Sequence, residues 1–238
     1  MTLNEFSGIV RRCVDDYKMI DDSDAIAVGV SGGKDSLALL CALSHLRGYY
    51  PKRFSLEAVT LDLGFPDMDF APVAELCRRL GVPYSLIKTD IREIVFDIRR
   101  EPNPCSLCSK LRRGALNSAI KERGISKLAL GHHSDDAIET FMLSLLYEGR
   151  ISCFRPVTWM DRSEVWQIRP LLYASEAEVE NLYREAKLPV VQNSCPQDKK
   201  SRRHEIKMLI ETLGQSYPDL KSKIFGAMQR LPLPGWQV

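Results

Sequence analysis

The sequence predicts an α/β fold: a doubly wound, mainly parallel sheet with helices on both faces and further helices in the C-terminal part. Short, continuous apolar runs alternate with amphipathic helical stretches, which is typical of strands buried on both faces of a parallel sheet. The chain also has 238 residues and 45% hydrophobic content, enough to bury one sizeable core. These two observations carry the prediction.

The individual elements follow from the hydrophobic pattern and from helix breakers. A first helix is predicted near residues 4–20. Four strand predictions come next, at 25–30, 55–61, 84–88 and 127–131. A helix is predicted after each strand, and three of these helices have predicted bounds, at 35–47, 70–81 and 135–148.

Beyond Gly149 the rhythm changes and helices dominate the prediction. VWQIRPL at 165–171 predicts one more strand, with an edge position as one option. Ser175 and Glu178 form a capping-box pattern that starts a helix. Two further helices are predicted at 202–214 and 218–230. The resulting division is a helical lead-in at 1–24, a sheet domain carrying a CxxC pair at 25–172, and a helical segment at 173–238 that packs on it.

The composition favours a soluble protein of a reducing compartment. The chain has 33 Lys and Arg against 31 Asp and Glu. No apolar run approaches the about 20 residues that a membrane helix needs. Because the stretch MTLNEFSGIVRRC lacks the basic region and apolar core of an export signal, we expect a cytoplasmic protein whose seven cysteines are thiols or metal ligands.

A glycine turn, SGGKDS at 31–36, stands directly between the first strand and its helix. The unpaired N–H groups of a helix N-terminus attract anions, and two glycines allow the backbone to approach a phosphate closely. The turn is not a Walker A loop, because Val28 stands where that motif needs glycine and Asp35 follows the lysine. A different phosphate loop is predicted; the alternative is a tight turn with an aspartate helix cap.

SGGKDS after a strand resembles the pyrophosphate loop of the ATP pyrophosphatase (PP-loop) superfamily, whose members adenylate a substrate and release pyrophosphate. The resemblance implies the adenine nucleotide alpha hydrolase-like fold and ATP as a cofactor. It also implies catalytic roles for Lys34 and Asp35. The implied nucleotide-binding residues are Ser31, Gly32, Gly33, Lys34, Asp35 and Ser36.

A second polar motif, GHHSDD at 131–136, follows the strand KLAL. Ligands of doubly wound sheets bind at the carboxyl ends of the strands. Asp135 and Asp136 could hold Mg²⁺ between phosphate oxygens, or they could cap the next helix. Together with SGGKDS, the motif resembles the second nucleotide and metal motif of the superfamily. That resemblance adds Gly131, His132 and Asp135 to the cofactor-binding set and Asp136 to the catalytic set; for His132 and His133 a structural or orienting role is as plausible as direct contact. Asp62, just after the second predicted strand, lies at the same sheet edge and is a weaker cofactor-binding candidate.

Three cysteines suggest an inorganic centre. Cys105 and Cys108 are placed in a loop that opens into a basic helix, where helix polarity and nearby cations would favour thiolates. Cys195 precedes another basic helix. One CxxC pair fits a zinc half-site, a redox disulfide, an iron–sulfur half-site or two unrelated thiols. The spacing alone favours zinc, with His204 as a possible fourth ligand.

The ordered set SGGKDS, LDLGFP, PCSLCSKLRRGAL, GHHSDD, IRPL and a late cysteine before RRHEIKMLIETL resembles the tRNA 2-thiocytidine biosynthesis (TtcA) family over nearly the whole chain. The resemblance implies a [4Fe-4S] cluster on Cys105, Cys108 and Cys195, which are also assigned to catalysis, with an open iron that holds sulfide. It implies tRNA as substrate, a sulfur donor such as a cysteine desulfurase or inorganic sulfide, and a homodimer. The cations that flank the cysteines are predicted to contact RNA phosphates: Lys110, Arg112, Arg113, Lys199, Lys200, Arg202 and Arg203.

The predicted activity is therefore ATP-dependent tRNA thiolation, in which the C2 oxygen of an anticodon-loop cytidine is adenylated and replaced by sulfur. Two alternatives remain open. One is a related tRNA-adenylating enzyme with a structural zinc, of the lysidine-forming or uridine-thiolating type. The other is a nucleotide- and RNA-binding module without turnover.

Overall fold

The computed structural model describes residues 1–100, 103–192, 194–196, 202–230 and 235–236. These residues form six strands and eight α-helices, with one additional π-helical segment at Glu93–Arg99. The strands are β1 (Asp24–Gly29), β2 (Phe54–Asp62), β3 (Tyr84–Lys88), β4 (Lys127–Ala129), β5 (Val157–Met160) and β6 (Val165–Ile168). The helices are α1 (Leu3–Asp16), α2 (Lys34–Arg47), α3 (Ala71–Arg79), α4 (Pro104–Glu122), α5 (Ser134–Glu148), α6 (Glu176–Ala186), α7 (Arg202–Ser216) and α8 (Leu220–Arg230).

The six strands form one sheet in the order β3-β2-β1-β4-β6-β5. All neighbouring pairs are parallel except β5 with β6. The chain moves from β1 outward to β2 and β3, and then returns to place β4 on the other side of β1. This reversal confirms the predicted doubly wound, mainly parallel fold, and it sets the topological switch point between β1 and β4.

The structure corrects the sequence prediction at one edge of the sheet. The predicted strand at 165–171 is shorter, Val165–Ile168, and lies between β4 and β5 rather than at the edge. The edge belongs to β5, which the sequence analysis did not predict. Because only four residues, VTWM, form β5 and they follow a loop, the strand leaves too short a pattern to detect.

The core lies on both faces of the sheet. On one face α2 is buried along most of its length, from Leu37 to Leu46, against α1 and the sheet. On the other face Ile120 of α4 packs with Val59 and Leu128. Fully burying a leucine or isoleucine side chain stabilises the fold by about 1.5–3 kcal/mol. Cys41 and Cys77 are also buried in this core.

The C-terminal helices pack onto the sheet domain rather than standing apart. α6 starts with the predicted capping box, in which the Ser175 hydroxyl accepts from the Glu178 N–H and the Glu178 carboxylate accepts from the Ser175 N–H. Val179 and Leu182 of this helix belong to the same core cluster as β1 and α2. α7 and α8 pack on α5. Within the part of the chain described, no helix has the length and apolar character needed to cross a membrane.

Candidate active site

Two turns meet at the switch point, where β1 and β4 lie side by side and parallel. β1 runs through the glycine turn into α2, and β4 runs through Gly131 into α5. A Cβ atom on Gly131 would lie 3.0 Å from the backbone carbon of Asp35, which shows how closely the second turn approaches the start of α2. Helix N-termini and polar side chains from both motifs therefore face one crevice.

The backbone of the glycine turn has a conformation that only glycine adopts readily, and side-chain hydrogen bonds hold it in place. Gly32 has φ +86°, a left-handed conformation that suits glycine. Gly33 is the N-cap of α2 and brings no side chain to the first N–H groups of the helix. The hydroxyl of Ser36 donates to the Gly33 carbonyl at 2.9 Å and accepts from the Ser31 N–H at 3.1 Å. The alternative of an aspartate helix cap is wrong, since Asp35 does not cap α2 and pairs with Lys34 instead.

Lys34 is held by two carboxylates. Its ammonium group lies 2.9 Å from Asp35 Oδ1 and 3.5 Å from Glu176 Oε1. Glu176 stands at the start of α6, and its other oxygen lies 2.6 Å from Lys207 Nζ of α7. Burial disfavours the charge, but the two carboxylates hold the pKa of Lys34 above its usual value. Lys34 is therefore a cation whose present partners a phosphate group could replace.

The two aspartates of the second motif point to different places. Asp136 caps α5 by accepting from the His133 N–H at 3.0 Å and also pairs with Arg203 at 3.1 Å. Asp135 is buried and accepts from the Glu176 N–H at 2.7 Å and from Lys221 Nζ at 2.6 Å. Burial opposes ionisation of Asp135, but the Lys221 and backbone hydrogen bonds keep its pKa below the usual value.

A cavity of about 410 Å³, here the switch-point cavity, opens between the two turns and α4. Its inner wall is apolar, and Leu116 and Leu128 belong to it. Of the predicted residues, the lining includes Ser31, Asp35, Ser36, Gly131, His132, Asp136, Arg112, Arg113 and Arg203. Gly32, Gly33, Lys34, Asp62 and Asp135 are not part of this lining. Asp62 accepts instead from the Gly64 N–H at 3.0 Å in the turn after β2.

His132 is an uncharged ring in the wall of this cavity. Burial, and to a smaller extent the Arg169 cation, lower its pKa to about 4. The imidazole stands against the Phe154 ring, with centroids 5.1 Å apart. Its buried Nδ1 has no hydrogen-bond partner among the residues that the structure describes. His132 can therefore offer a neutral donor or acceptor to a ligand but no charge.

A second cavity, of about 310 Å³, adjoins the first and is here the cysteine cavity. Cys105, Cys108 and Cys195 all line it, together with apolar side chains such as Leu63 and Phe65. The two cysteine segments therefore meet at one cavity, as the single cluster implied by the family resemblance requires. The two cavities share the lining residues Ser31, Leu61, Ser109 and Arg112.

The CxxC pair lies on a helix rather than in the predicted loop. α4 begins at Pro104, after the N-cap Asn103, so Cys105 and Cys108 occupy its first turns. At spacing i, i+3 the two side chains share one side of the helix. A proline that opens a helix is a common start signal, and here it precedes the first cysteine directly.

The expectation that its surroundings favour a Cys108 thiolate is wrong. Burial raises the pKa of the Cys108 thiol, and the opposing effect of the Arg112 cation is smaller. Across the described parts of the chain, no three Cys, His, Asp or Glu side chains already stand within range of one metal ion. Among the described residues, the side chains that line the cysteine cavity include three thiols and the Met68 thioether but no carboxylate or imidazole, and His204 is not one of them. This soft donor set fits an iron–sulfur cluster, and the described part of the lining offers no carboxylate or imidazole as the fourth ligand of a structural zinc.

The predicted RNA contacts divide into two groups. Arg112, Arg113 and Arg203 line the switch-point cavity. Lys110 is exposed on α4, and the guanidinium of Arg202 lies 4.9 Å from the centre of the Tyr147 ring. Lys199 and Lys200 fall outside the described residues.

Sequence reasoning missed several residues of the site. Glu176 contacts the glycine-turn lysine, and Lys207 in turn contacts Glu176, only because packing brings α6 and α7 to this place. Gln167 of β6 lines the cavity, and Arg169, directly after that strand, donates to its side-chain oxygen; the strand was predicted, but the side that Gln167 faces was not. The one available signal was the presence of polar residues within an apolar strand, VWQIR.

The fold and the site together define a PP-loop protein: a glycine turn after the first strand, and a second polar turn beside it at the switch point. The sequence profile of the PP-loop domain matches residues 7–213. Within this class, the chain belongs to the family of tRNA-cytidine(32) 2-sulfurtransferases. It is 39% identical over 225 residues to the protein of that name from Pelobacter propionicus, covering 93% of this chain and 84% of the relative. It is 38% identical to the protein of that name from Geobacter sulfurreducens, covering 94% of this chain and 88% of the relative.

Solved structures agree with this assignment. The U34-tRNA thiolase NcsA from Methanococcus maripaludis, solved with its [4Fe-4S] cluster, superposes with a TM-score of 0.77 at 26% identity over 93% of this chain and 75% of that one. Phosphoadenylyl-sulfate reductase from Candida auris shares the fold alone, with a TM-score of 0.50 at 14% identity over 78% of this chain and 81% of that one.

Proposed function

We propose that this chain is an ATP-dependent tRNA-cytidine 2-sulfurtransferase that acts on cytidine 32, the position in its relatives' name. The single observation that carries the proposal is the junction of the two cavities. One cavity has the features of a nucleotide site, and the other has three thiols. A base that is activated in the first can receive sulfur from the second without leaving the protein.

ATP is proposed to bind along the glycine turn. The N-terminus of α2 carries unpaired N–H groups and a partial positive charge, which suit the phosphates. Lys34 would exchange Asp35 and Glu176 for phosphate oxygens as ATP enters. Ser31 and Ser36 supply further donors at the same turn.

Asp35 and Asp136 are the proposed Mg²⁺ ligands. Both line the switch-point cavity. The Nε2 atom of His133 lies 3.8 Å from Asp35 Oδ1 and 3.5 Å from Asp136 Oδ2, so the two carboxylates face the same small space. Carboxylate oxygens and phosphates are the ligands that Mg²⁺ prefers. Asp135 is already satisfied by Lys221 and the α6 backbone, and we assign it to holding the C-terminal helices in place.

In the proposed reaction the C2 oxygen of cytidine attacks the α-phosphorus of ATP, and pyrophosphate leaves. The new C–O–P linkage turns that oxygen into a good leaving group. Sulfur then enters as sulfide: a C2–S bond forms, the C2–O bond breaks, AMP leaves and no net oxidation is required. Lys34 and the N–H groups of the glycine turn would stabilise the charge that develops on pyrophosphate, which is electrostatic catalysis.

Cys105, Cys108 and Cys195 are the residues that would hold a [4Fe-4S] cluster. When bound, such a cluster supplies an iron site without a protein ligand, at which sulfide can be carried. Arg112, shared by both cavities, places a cation on the path between the thiols and the activated base. Inorganic sulfide or a cysteine desulfurase is the proposed source of sulfur.

We also propose that tRNA lies over the mouth of the two cavities, where Lys110, Arg112, Arg113 and Arg203 are exposed. Phosphate contacts of this kind position an RNA without reading its sequence. A homodimer is proposed by resemblance to the family. Gel filtration with light scattering tests that state directly.

The deciding experiment is sulfur transfer to tRNA by anaerobically purified protein supplied with ATP, Mg²⁺ and labelled sulfide, read by nucleoside mass spectrometry. We expect 2-thiocytidine from the wild type and none from Cys105→Ala, Cys108→Ala or Cys195→Ala. Cys153→Ser is the matched control, since Cys153 is half-buried and outside the cysteine cavity. Full activity in Cys105→Ala would overturn the proposal.

Metal analysis of the same samples distinguishes the proposed iron–sulfur enzyme from the alternative enzyme with a structural zinc. Iron and acid-labile sulfide with brown colour support the cluster. Stoichiometric zinc without colour would instead favour an adenylating enzyme with another nucleophile.

A further inference from the structure

A buried polar network lies in the floor of the switch-point cavity, among apolar side chains. Gln167 of β6 lines the cavity and is 3% exposed. Its Nε2 donates to Asn117 Oδ1 of α4 at 3.3 Å, and its Oε1 accepts from Arg169 Nη2 at 3.5 Å. Leu116 and Leu128 line the same cavity. Burying an amide among apolar side chains costs desolvation free energy. Such a buried amide in a mostly apolar cavity is typical of a binding pocket in which a few polar groups orient the ligand.

The network determines which way the amide of Gln167 faces. A guanidinium group has only donors, so the Gln167 atom towards Arg169 is the oxygen and the atom towards Asn117 is the nitrogen. Arg169 is itself held, because its Nη1 donates to the Arg155 carbonyl at 2.6 Å and to Thr158 Oγ1 at 3.3 Å. Reversing the amide would set two donors against each other. One N–H and one acceptor position of Gln167 remain for a ligand.

We propose that Gln167 is a base-selecting residue: its amide binds a ring that carries an amino group beside an unprotonated ring nitrogen. The amino group would donate to Oε1, and the ring nitrogen would accept from Nε2. Cytosine offers this edge through N4 and N3, and adenine offers it through N6 and N1. Uracil and guanine present a carbonyl oxygen beside a ring N–H, the reverse pattern, which an amide held by Asn117 and Arg169 does not match.

This inference rests on the proposed function and adds the reason for its substrate choice. A site built to hydrogen-bond one edge discriminates strongly against a ring that leaves buried polar groups unpaired. The two sources of the shared edge are the cytosine of tRNA and the adenine of ATP, and separate measurements distinguish them.

The test uses the full chain with Gln167→Leu, which removes both hydrogen bonds, and Gln167→Glu, which keeps the acceptor for Arg169 and removes the donor. Gln229→Leu is the matched control, because Gln229 donates to the Tyr173 hydroxyl outside the cavity. Calorimetry without tRNA gives the ratio of ATP to GTP affinity. Sulfur transfer to tRNA with cytidine or uridine at the target position gives the second ratio.

We expect one of the two ratios to fall by about tenfold or more in the Gln167 variants and to stay within about twofold in Gln229→Leu. A fall in the ATP to GTP ratio identifies adenine, and a fall in the cytidine to uridine ratio identifies cytosine; each supports the inference. Both ratios unchanged in folded Gln167→Glu would overturn it. If the wild type transfers no sulfur, the proposed function fails, and the ATP to GTP ratio alone then decides whether Gln167 selects a base.

Discussion

The N–H of Val191 donates a hydrogen bond of 2.9 Å to the carbonyl oxygen of Gly32. This bond connects the segment before Cys195 to the glycine turn, which lies 159 positions earlier in the chain. A Cβ atom on Gly32 would lie 2.9 Å from the Cβ of Val191, so the contact is close on the side-chain side as well. Gly33, Val191 and Cys195 also line the same cavity, so the third cysteine lies close to the glycine turn.

Gly32→Ala should disrupt both cavities. The residue has φ +86°, and left-handed backbone costs a side chain about 1–2 kcal/mol, to which crowding against Val191 adds. Gly81→Ala is the matched control, since its φ is +61° but no atom lies within 4 Å of the added Cβ. We expect both variants to lose stability in urea unfolding, and only Gly32→Ala to lose ATP binding. Equal ATP binding in the two variants would contradict the packing argument.

Asp136→Asn and Asp135→Asn should have different effects, although the two aspartates are adjacent in the sequence. Asp136 lines the switch-point cavity, so we expect its variant to weaken Mg²⁺-dependent ATP binding by about tenfold or more. Asp135 is buried beneath α6 and α8, so its variant should cost about 1–3 kcal/mol of stability with little change in ATP affinity. Calorimetry and urea unfolding measure the two effects. The reverse pattern would indicate that Asp135, rather than Asp136, is the Mg²⁺ ligand.

Glu176→Gln should strengthen ATP binding in the absence of tRNA. Glu176 competes with phosphate for Lys34, and it is a partly exposed partner, so we expect a gain of about two- to fivefold in affinity. Glu180→Gln, which breaks only the pair with Arg184 on the same helix, serves as the control. Weaker ATP binding in Glu176→Gln would show that the carboxylate orients Lys34 for phosphate instead.

Glu139 should make the protein less stable as the pH rises. Its pKa is raised to about 7, mainly by burial and also by the Asp136 and Glu176 carboxylates, against the opposing Arg203 and Lys207 cations. A group whose folded pKa lies above its unfolded value of 4.5 contributes stability at low pH that is lost between about pH 4.5 and 7. Glu139→Gln removes this dependence.

We therefore expect Glu139→Gln to be more stable than the wild type at pH 8, by about 1–3 kcal/mol, and to show no such gain at pH 4.5. Urea unfolding at the two pH values measures the difference. An equal effect at both pH values would mean that the change acts through packing and not through ionisation.

The sequence was sufficient for the local parts of the fold. Alternating apolar strands and amphipathic helices predict the order of elements because each pattern reflects burial within its own segment. The capping box at Ser175 and the glycine turn were visible for the same reason, since short-range hydrogen bonds dictate their residue types. The short edge strand β5 escaped because four residues with mixed burial leave no periodic signal.

The arrangement of the site depends on contacts between residues that are distant in the sequence. Asp135 pairs with Lys221 of α8, whereas Asp136 faces the cavity and pairs with Arg203 of α7. The sequence of α5 does not show this difference, because both partners come from helices that are distant in the chain. Likewise, the amide of Gln167 has one orientation because Asn117 of α4 meets its nitrogen and Arg169, held by Arg155 and Thr158, meets its oxygen. The sequence by itself determined five of the six strands that the structure describes, the glycine turn and the kinds of chemical group present. The tertiary structure decided which groups share a cavity, because long-range packing positions each side chain against partners that sequence distance does not reveal.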